Sequence, residues 1–408
     1  MKVLHINTDA SIGGAAIAAR RHCEAMRMKG IDSKMLVFNN NLEEQLDYIS
    51  EYHCSIYKKL VVKILNSVCN RIIRIFSKPK FGLFSLFYLG HDITKLDIVK
   101  NADIIYIHWI NNNFLSMFSI KKMLKSRKKV IFYMHDMFPI TGGCHHSFEC
   151  YNYENNCKNC QLLGYLSFVI SWQLKFKNKC FEQFTNLQIA SPSKWLLNCS
   201  NKSSLFKDKA HFHCPNVVDT NFYKPINKGY AKNLLELDPD KKYILFVAVN
   251  IDSPYKGWNY LLKALEKIDD PNIEAIVVGN DSITLIDNLK INRLGFINDA
   301  TKMKIIFNAA SVLVIPSLAE NFPNVVIEAM SCATPVVGFS IGGIKEQIVH
   351  MHNGWLSPPK QSIGLYDGIM WLINNPDYDM IAKNARNYVE CNCSYSNVLI
   401  NHKEILGL

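Results

Sequence analysis

The sequence predicts an α/β protein of two doubly wound domains facing each other across a cleft. Three observations predict it. Apolar runs of strand length recur in both halves, helical or loop segments separate them, and the pattern restarts after residues 215–225. Strands that alternate with helices point to parallel sheets. At 408 residues the chain is also too long for one core and suits two or three domains.

The elements follow in order. Residues 3–7 read as a buried strand, Ser11-Ile12-Gly13-Gly14 as a turn, and residues 15–28 as a helix. Strand, glycine-rich loop and helix together offer backbone N–H groups to an anion. A tight turn with no ligand explains the same residues equally well. No GxGxxG is present, so the dinucleotide fingerprint is missing. Further strands are expected at 34–38, 104–108, 130–134 and 187–190. Ligands of such sheets sit beyond the carboxyl ends of the strands. That rule puts Gly13-Gly14, His108-Trp109 and His135-Asp136 on one rim.

In the second half, strands are expected at 243–249, 273–279, 312–316 and 335–339, with a helix over 258–268. The expected domains are 1–215 and 216–390, with 391–408 packing back on the first. Lys256-Gly257 stands between a strand and a helix, where a cation suits a diphosphate. A lone Lys-Gly is more often a solvated turn. Residues 316–343 read PSLAENFPNVVIEAMSCATPVVGFSIGG. Pro323 suits a first helical position, with Asn321 or Phe322 near the cap, and 324–330 form the helix. Glu320 lies in the loop and Glu328 about two turns into that helix, so both carboxylates can face one ligand. Each carboxylate oxygen accepts a hydrogen bond from a sugar or ribose hydroxyl. Two surface glutamates are the ordinary alternative. The small neighbours Ser317, Ala319, Ala329 and Ser331 permit close approach and favour a ligand.

Hydrophobic residues make up 49% and charged residues 20%, which excludes a disordered or fibrous chain. The net charge of +11 favours an anionic partner. Residues 56–80 carry Lys58, Lys59, Lys63, Arg71, Arg74, Lys78 and Lys80 and no acid, with Ile56, Leu60, Val61, Ile64, Leu65, Val68, Ile72 and Ile75 at helical spacing. Such a helix can lie on an anionic membrane, or it can pack its apolar face on its own domain. No helix-turn-helix, zinc-finger or RNP pattern occurs, so nucleic acid is not an expected partner. The start MKVLHINTDA reads as a strand rather than a leader, and no run of about 18 apolar residues exists. The expectation is a cytoplasmic protein, peripheral at the inner face of the membrane.

The thirteen cysteines are expected to be reduced. Cys144, Cys150, Cys157 and Cys160 are close in sequence and end in a C-x2-C knuckle. Four thiolates at such spacing can wrap a structural zinc, with His145 or His146 as substitutes. Two disulfides or four thiols are the alternatives. Asp238-Pro239-Asp240 matches D-x-D but reads as a polar turn, because it precedes Lys241-Lys242 and ends no strand.

Glu320 to Glu328 resembles the E-x7-E motif of glycosyltransferase family 4, a GT-B family. Gly13-Gly14, Ser191-Pro192-Ser193, residues 215–219, Lys256-Gly257, Gly295-Phe296 and Gly354-Trp355-Leu356 are similar to that family's landmarks. Residues 135–160 resemble a subgroup making exopolysaccharide or O-antigen, including colanic-acid-type transferases. The resemblance implies two Rossmann-like domains and a UDP- or GDP-linked sugar donor bound mainly by the second. It implies Glu328 on the ribose, Glu320 on the donor sugar, and Lys256 with the Gly13-Gly14 backbone on the diphosphate. Asn324 joins the donor-binding set, and His135 lies near the donor sugar. Transfer with retention, no cofactor for catalysis and a lipid-linked glycan acceptor are implied as well. The family often has an Arg five residues before the Lys. Ile251 stands there instead, and Arg293 is a candidate replacement. A GT-B-fold epimerase, a phosphorylase-like protein and a non-catalytic membrane-attached sugar-nucleotide-binding protein remain alternatives. A nicotinamide-dependent dehydrogenase would need the missing glycine fingerprint.

Overall fold

The computed structural model describes residues 1–76, 84–85, 90–112, 114–280 and 288–408. Lys78, Lys80 and the side chain of Arg74, all part of the basic segment, lie outside the described residues. The chain divides into two compact units, Met1–Pro215 with Val398–Leu408, and Asn216–Asn397. Residues 391–397 therefore stay with the second unit, and the return to the first begins at Val398.

The first unit holds seven strands: β1 (Lys2–Asp9), β2 (Asp32–Asn39), β3 (Ile49–Glu51), β4 (Ile104–Ile107), β5 (Lys129–Tyr133), β6 (Leu187–Ser191) and β7 (Ala210–His213). Their order is β3-β2-β1-β4-β5-β6-β7, and every pairing is parallel. The helices are α1 (Gly14–Met28), α2 (Ile56–Phe76), α3 (Asp97–Lys100), α4 (Met117–Lys125), α5 (Ser167–Phe181) and α6 (Lys194–Lys202). Successive strand residues face opposite sides of a sheet. Accordingly Leu4, Ile6, Leu36 and Phe38 join one core, while Met35 and Val37 join another with Ala19 and Cys23 of α1.

The second unit holds β8 (Lys242–Asn250), β9 (Ile273–Asn280), β10 (Ile291–Gly295), β11 (Val312–Ile315), β12 (Val336–Phe339) and β13 (Gly354–Ser357) in the order β10-β9-β8-β11-β12-β13. All its pairings are parallel too. Around them lie α7 (Lys228–Leu234), α8 (Trp258–Leu265), α9 (Ala300–Ala309), α10 (Asn324–Ser331), α11 (Ile344–Gln347), α12 (Ser362–Ile373) and α13 (Tyr378–Asn392). Tyr243, Leu245, Leu313 and Ile315 pack on one face, and Ile244, Phe246, Val312 and Val314 on the other. Each sheet is thus buried on both sides, which explains why its central strands read as continuous apolar runs. The last helix, α14 (Val398–Leu406), belongs to the first unit.

In both units the first strand lies between its second and its fourth, so the chain reverses direction across the sheet there. In the first unit this switch point falls between β1 and β4, in the second between β8 and β11. Crevices at such points are where open α/β sheets hold ligands.

Candidate active site

In the second unit the loops after β8 and β11 meet at the switch point. A short 3-10 turn, Pro254–Lys256, follows β8, and Gly257 then starts α8 at φ +75°. A Cβ at Gly257 would stand 1.8 Å from the Pro316 carbonyl oxygen, so only glycine lets the two loops pass this closely. The Leu318 amide donates to the Tyr255 carbonyl at 2.7 Å and ties the loops together.

This stitching brings Lys256 and Glu320 together. Lys256 Nζ lies 2.6 Å from Glu320 Oε1, with side chains 25% and 16% exposed, and Ser317 Oγ donates to the same oxygen at 3.2 Å. Burial works against the charge on Lys256. The Glu320 carboxylate and its hydrogen bond outweigh that, and the pKa is raised. An ammonium and a carboxylate thus stand side by side at the mouth of a parallel sheet, where they can meet an anion and a hydroxyl on one molecule.

α10 begins one step along the same loop. Pro323 is its cap and Asn324 its first residue, so Glu328 sits little more than one turn in, nearer the helix start than the sequence suggested. Both Asn324 and Glu328 are buried. Asn216 Nδ2 donates to the Asn324 side-chain oxygen at 3.0 Å and to the Phe322 carbonyl at 3.1 Å, holding the helix start in place. Ile251 is fully buried in the core, which suits its apolar side chain and removes it from any charged role. Arg293 lies exposed on the edge strand β10, two strands from β8. Asp238-Pro239-Asp240 is a turn closed by Asp240 N–H to Asp238 Oδ1 at 2.9 Å, and Lys232 donates to the Pro239 carbonyl.

The first unit places Gly13-Gly14, His108-Trp109 and His135-Asp136 after β1, β4 and β5, neighbouring strands of one sheet. Gly13 caps α1 at φ +91°, and the first turn of that helix carries no acidic residue. The Trp109 amide donates to Asn7 Oδ1 at 2.9 Å. His108 Nδ1 lies 2.9 Å from His135 Nε2. A water-sized pocket here is lined by His108, Trp109, Asn111, His135, Asp136 and Lys177, among others. Burial alone would raise the Asp136 pKa. The His145 contact at 2.5 Å and the Phe138 amide outweigh it, and the carboxyl titrates below its usual range. Burial holds His135 down to about 4 and drives Lys177 down to about 7.

The four clustered cysteines lie in the loop that follows β5. Among the described residues no three His, Cys, Asp or Glu side chains are arranged to hold a metal ion. All thirteen cysteines are thiols, so the disulfide alternative fails as well. Burial pushes Cys144 up to about 12 and Cys157 up to about 11, and Cys157 Sγ accepts the Gly142 amide at 3.3 Å. Hydrogen bonds tie this loop to its surroundings. Lys177 Nζ donates to the Phe138 and Thr141 carbonyls at 2.6 and 2.9 Å, and Ser85 Oγ meets His145 Nε2 at 2.9 Å.

Sequence reasoning missed Lys177, His5 and His402. Lys177 sits in the run KFKNK, where nothing marks one lysine as buried. His5 and His402 come together only through the fold.

Comparison with known proteins bears on the second unit and on the fold. Residues 231–388, within the second unit, match the family model described as glycosyl transferases group 1. An uncharacterized glycosyltransferase of Methanocaldococcus jannaschii is 34% identical over 170 residues, which is 39% of this chain and 43% of that relative. The match therefore spans less than half the length of that relative. Sucrose-phosphate synthase of Thermosynechococcus elongatus superposes with a TM-score of 0.67 at 17% identity, covering 100% of this chain and 98% of that one. Anabaena HepE, solved with UDP-glucose, superposes with a TM-score of 0.66 at 17% identity, covering 100% and 99%. Likenesses of this kind show the fold: two parallel-sheet Rossmann-like units of GT-B type.

Proposed function

We propose that this chain is a retaining glycosyltransferase that moves a hexose from a nucleoside diphosphate to a lipid-linked glycan of a surface polysaccharide, of the exopolysaccharide or O-antigen class. The observation that carries the proposal is the convergence of Lys256 and Glu320 at the second unit's switch point, one helix start away from Asn324 and Glu328. In this reading Glu328 accepts from the ribose hydroxyls and Glu320 from the donor sugar. Asn324 helps hold the nucleotide. Lys256 faces the diphosphate. The group 1 match over 231–388 supports the donor class, as does the UDP-glucose bound by HepE.

The chemistry follows from these parts. As the glycosidic C–O bond breaks, negative charge grows on the departing phosphate oxygens and positive character on the sugar. Lys256 and helix-start amides stabilise the first, because they are already oriented when the charge appears. Carboxylates stabilise the second through the sugar hydroxyls and through space. His135, the first unit's candidate for contact with a sugar, is neutral at pH 7 because burial lowers its pKa.

The lipid-linked acceptor and a membrane surface are supported by α2. Ile56, Leu60, Ile64, Leu65, Val68 and Ile72 are between 45% and 86% exposed on it. Lys58, Lys59, Lys63 and Arg71 accompany them, with no acidic residue between 56 and 76. Exposed apolar side chains bordered by cations suit an interface of anionic lipids. No helix among the described residues is long and apolar enough to cross a membrane.

Product analysis with a labelled donor tests the reaction class. Label transferred to a lipid-extractable acceptor is expected; an isomerised donor with no transfer would make the protein an epimerase. Flotation with liposomes tests the surface. Binding to anionic but not zwitterionic vesicles, lost on Lys58, Lys59, Lys63 and Arg71→Gln, is expected. Binding unchanged by those substitutions would refute the membrane role of α2.

A further inference from the structure

α4 and α5 pack side by side on the sheet face whose core holds Leu4 and Ile6, and they give Ile120, Leu124, Ile170 and Leu174 to that core. Their outer faces are not wholly polar. Phe168 is 68% exposed, Phe118 57% and Trp172 54%. A single outward aromatic is ordinary. These form one cluster. Phe168, Trp172 and Phe176 recur every four residues, so they share one side of α5. Trp172 stacks on Phe176 with ring centroids 5.5 Å apart, and Phe118 of α4 meets Phe176 edge-on at 5.4 Å.

Cations border the rings. Lys122 and Lys125 on α4 and Lys175 and Lys179 on α5 are exposed, and Lys121 Nζ lies 3.5 Å from the Lys179 carbonyl, which sets the two helices in register. Asp92 pairs with Lys122 at 2.5 Å, but residues 104–135 and 155–181 contain no Asp or Glu. The patch is thus apolar and cationic at once, and an anionic bilayer complements both properties. Aromatic rings settle at the headgroup level, while lysine stems run along apolar surface and their ammonium groups reach lipid phosphates.

Chain connections fix where the patch lies. α4 ends at Lys125 and β5 starts at Lys129; α5 ends at Phe181 and β6 starts at Leu187. Links this short bring the end of each helix to the amino end of a strand. Both helices therefore start towards the carboxyl ends, where His108-Trp109 and His135-Asp136 stand. Phe118 is the second residue of α4. Phe168 precedes Phe176 by two helical turns, about 12 Å nearer the start of α5 at 1.5 Å per residue, so α5 overhangs α4 on the carboxyl side. The short turn Gly164–Leu166 that opens α5 packs on α2, and Lys59 of α2 stands 5.3 Å from the ring centroid of Phe38 in the same core. The aromatic patch and α2 are therefore neighbours on one side of the sheet.

We infer that Phe118, Phe168 and Trp172 enter the headgroup layer of an anionic bilayer, with Lys125, Lys175 and Lys179 on its phosphates, and that this docking holds the ligand rim of the first unit at the membrane surface. The inference rests on the membrane reading above for the class of partner, and it adds a second docking element to α2. A glycan carried on a lipid then meets the rim while its carrier stays in the bilayer.

Fluorescence and flotation of the full chain test this, with vesicles of phosphatidylglycerol and phosphatidylcholine in equal parts. Bromine on the acyl chains quenches a tryptophan that enters the bilayer. Brominated vesicles should quench wild type, whereas Trp172→Phe, which keeps an aromatic ring, should bind as well and lose that quenching. Equal quenching in both proteins, or none in bound wild type, overturns the inference. Phe168→Gln with Trp172→Gln should weaken flotation at least about tenfold, and so should Lys125→Gln with Lys175→Gln and Lys179→Gln. Unchanged flotation of either set also overturns it, and should a set not fold, the quenching of wild type against Trp172→Phe decides alone. The α2 substitutions separate the two readings. Loss of binding on those alone overturns this inference and leaves α2 as the docking element. Loss on the α4 and α5 sets alone removes the role of α2 and leaves this inference standing. Wild type that binds no anionic vesicle removes both. A wild-type dimer in sedimentation that Trp172→Gln makes monomeric, without vesicle binding, gives the patch to a second copy of the chain and overturns the inference.

Discussion

Lys256 and Glu320 are each other's partner, so a change at either leaves the other's charge without that pairing. Lys256→Ala should lower kcat at least about 100-fold, the scale of losing a preorganised charge that acts on the developing transition state. Near-normal steady-state turnover would refute that role. Glu328→Gln should weaken nucleotide binding at least about tenfold, since one charge-assisted hydrogen bond is worth roughly 1.5–3 kcal/mol. Calorimetry reads it directly, and unchanged affinity would move the ribose elsewhere. Gly257→Ala should destabilise the second unit by more than about 1 kcal/mol, through the clash with the Pro316 carbonyl and the left-handed backbone. A urea midpoint equal to wild type would contradict it. Much of this was legible in the sequence, because Lys256-Gly257 and Glu320 to Glu328 are each local runs of a few residues. The ion pair between them was not, since it depends on β8 and β11 becoming neighbours across 64 positions of chain.

Elements were legible where an apolar run sat between helix-forming stretches. The central strands β1, β4, β5, β8, β9 and β11 all fall there. The edge strands escaped for a physical reason: β7 reads AHFH with no fully buried residue, β10 reads INRLG with its side chains partly exposed, and β3 has three residues. Half-covered edges lack the continuous apolar signal of a strand buried on both faces. The last helix carries its own prediction. In the first unit, α14 supplies His402 to Tyr106 at 2.9 Å, the Ile405 carbonyl to Lys129 at 2.6 Å and the Asn401 carbonyl to Cys214 at 3.1 Å. Ending the chain at Asn397 should uncover His22 and Tyr106, against which His402 packs, and destabilise the first unit by several kcal/mol, as large losses of buried apolar and hydrogen-bonded surface do. Hydrogen exchange should then rise in β1, β4 and β5 and leave β8 and β11 unchanged; equal protection of β1 in both proteins would contradict it.

At the scale of the whole molecule, the buried histidines make stability depend on pH. Burial depresses His5, His22, His108, His135 and His402 in the folded chain, while the unfolded chain titrates near 6.5. Below 6.5 the unfolded state therefore binds more protons. The stability these groups contribute is full above 6.5 and falls as pH drops towards the folded values near 3 to 4. Each histidine adds a slope of up to about 1.4 kcal/mol per pH unit in that window. Urea melts should show a steep loss between pH 6 and 5, and a flat profile there would contradict the burial of these histidines in neutral form. The same molecule carries the central claim, that the second unit holds a nucleoside diphosphate through Lys256, Glu320 and Glu328. Thermal unfolding with UDP and with GDP, on wild type and on Glu328→Gln, tests it most directly. One of the two nucleotides at a hundredfold excess over its Kd should stabilise wild type by about 2.7 kcal/mol, and the variant by clearly less at the same concentration. No shift with either nucleotide up to millimolar concentration, or an equal shift in both proteins, would contradict the account.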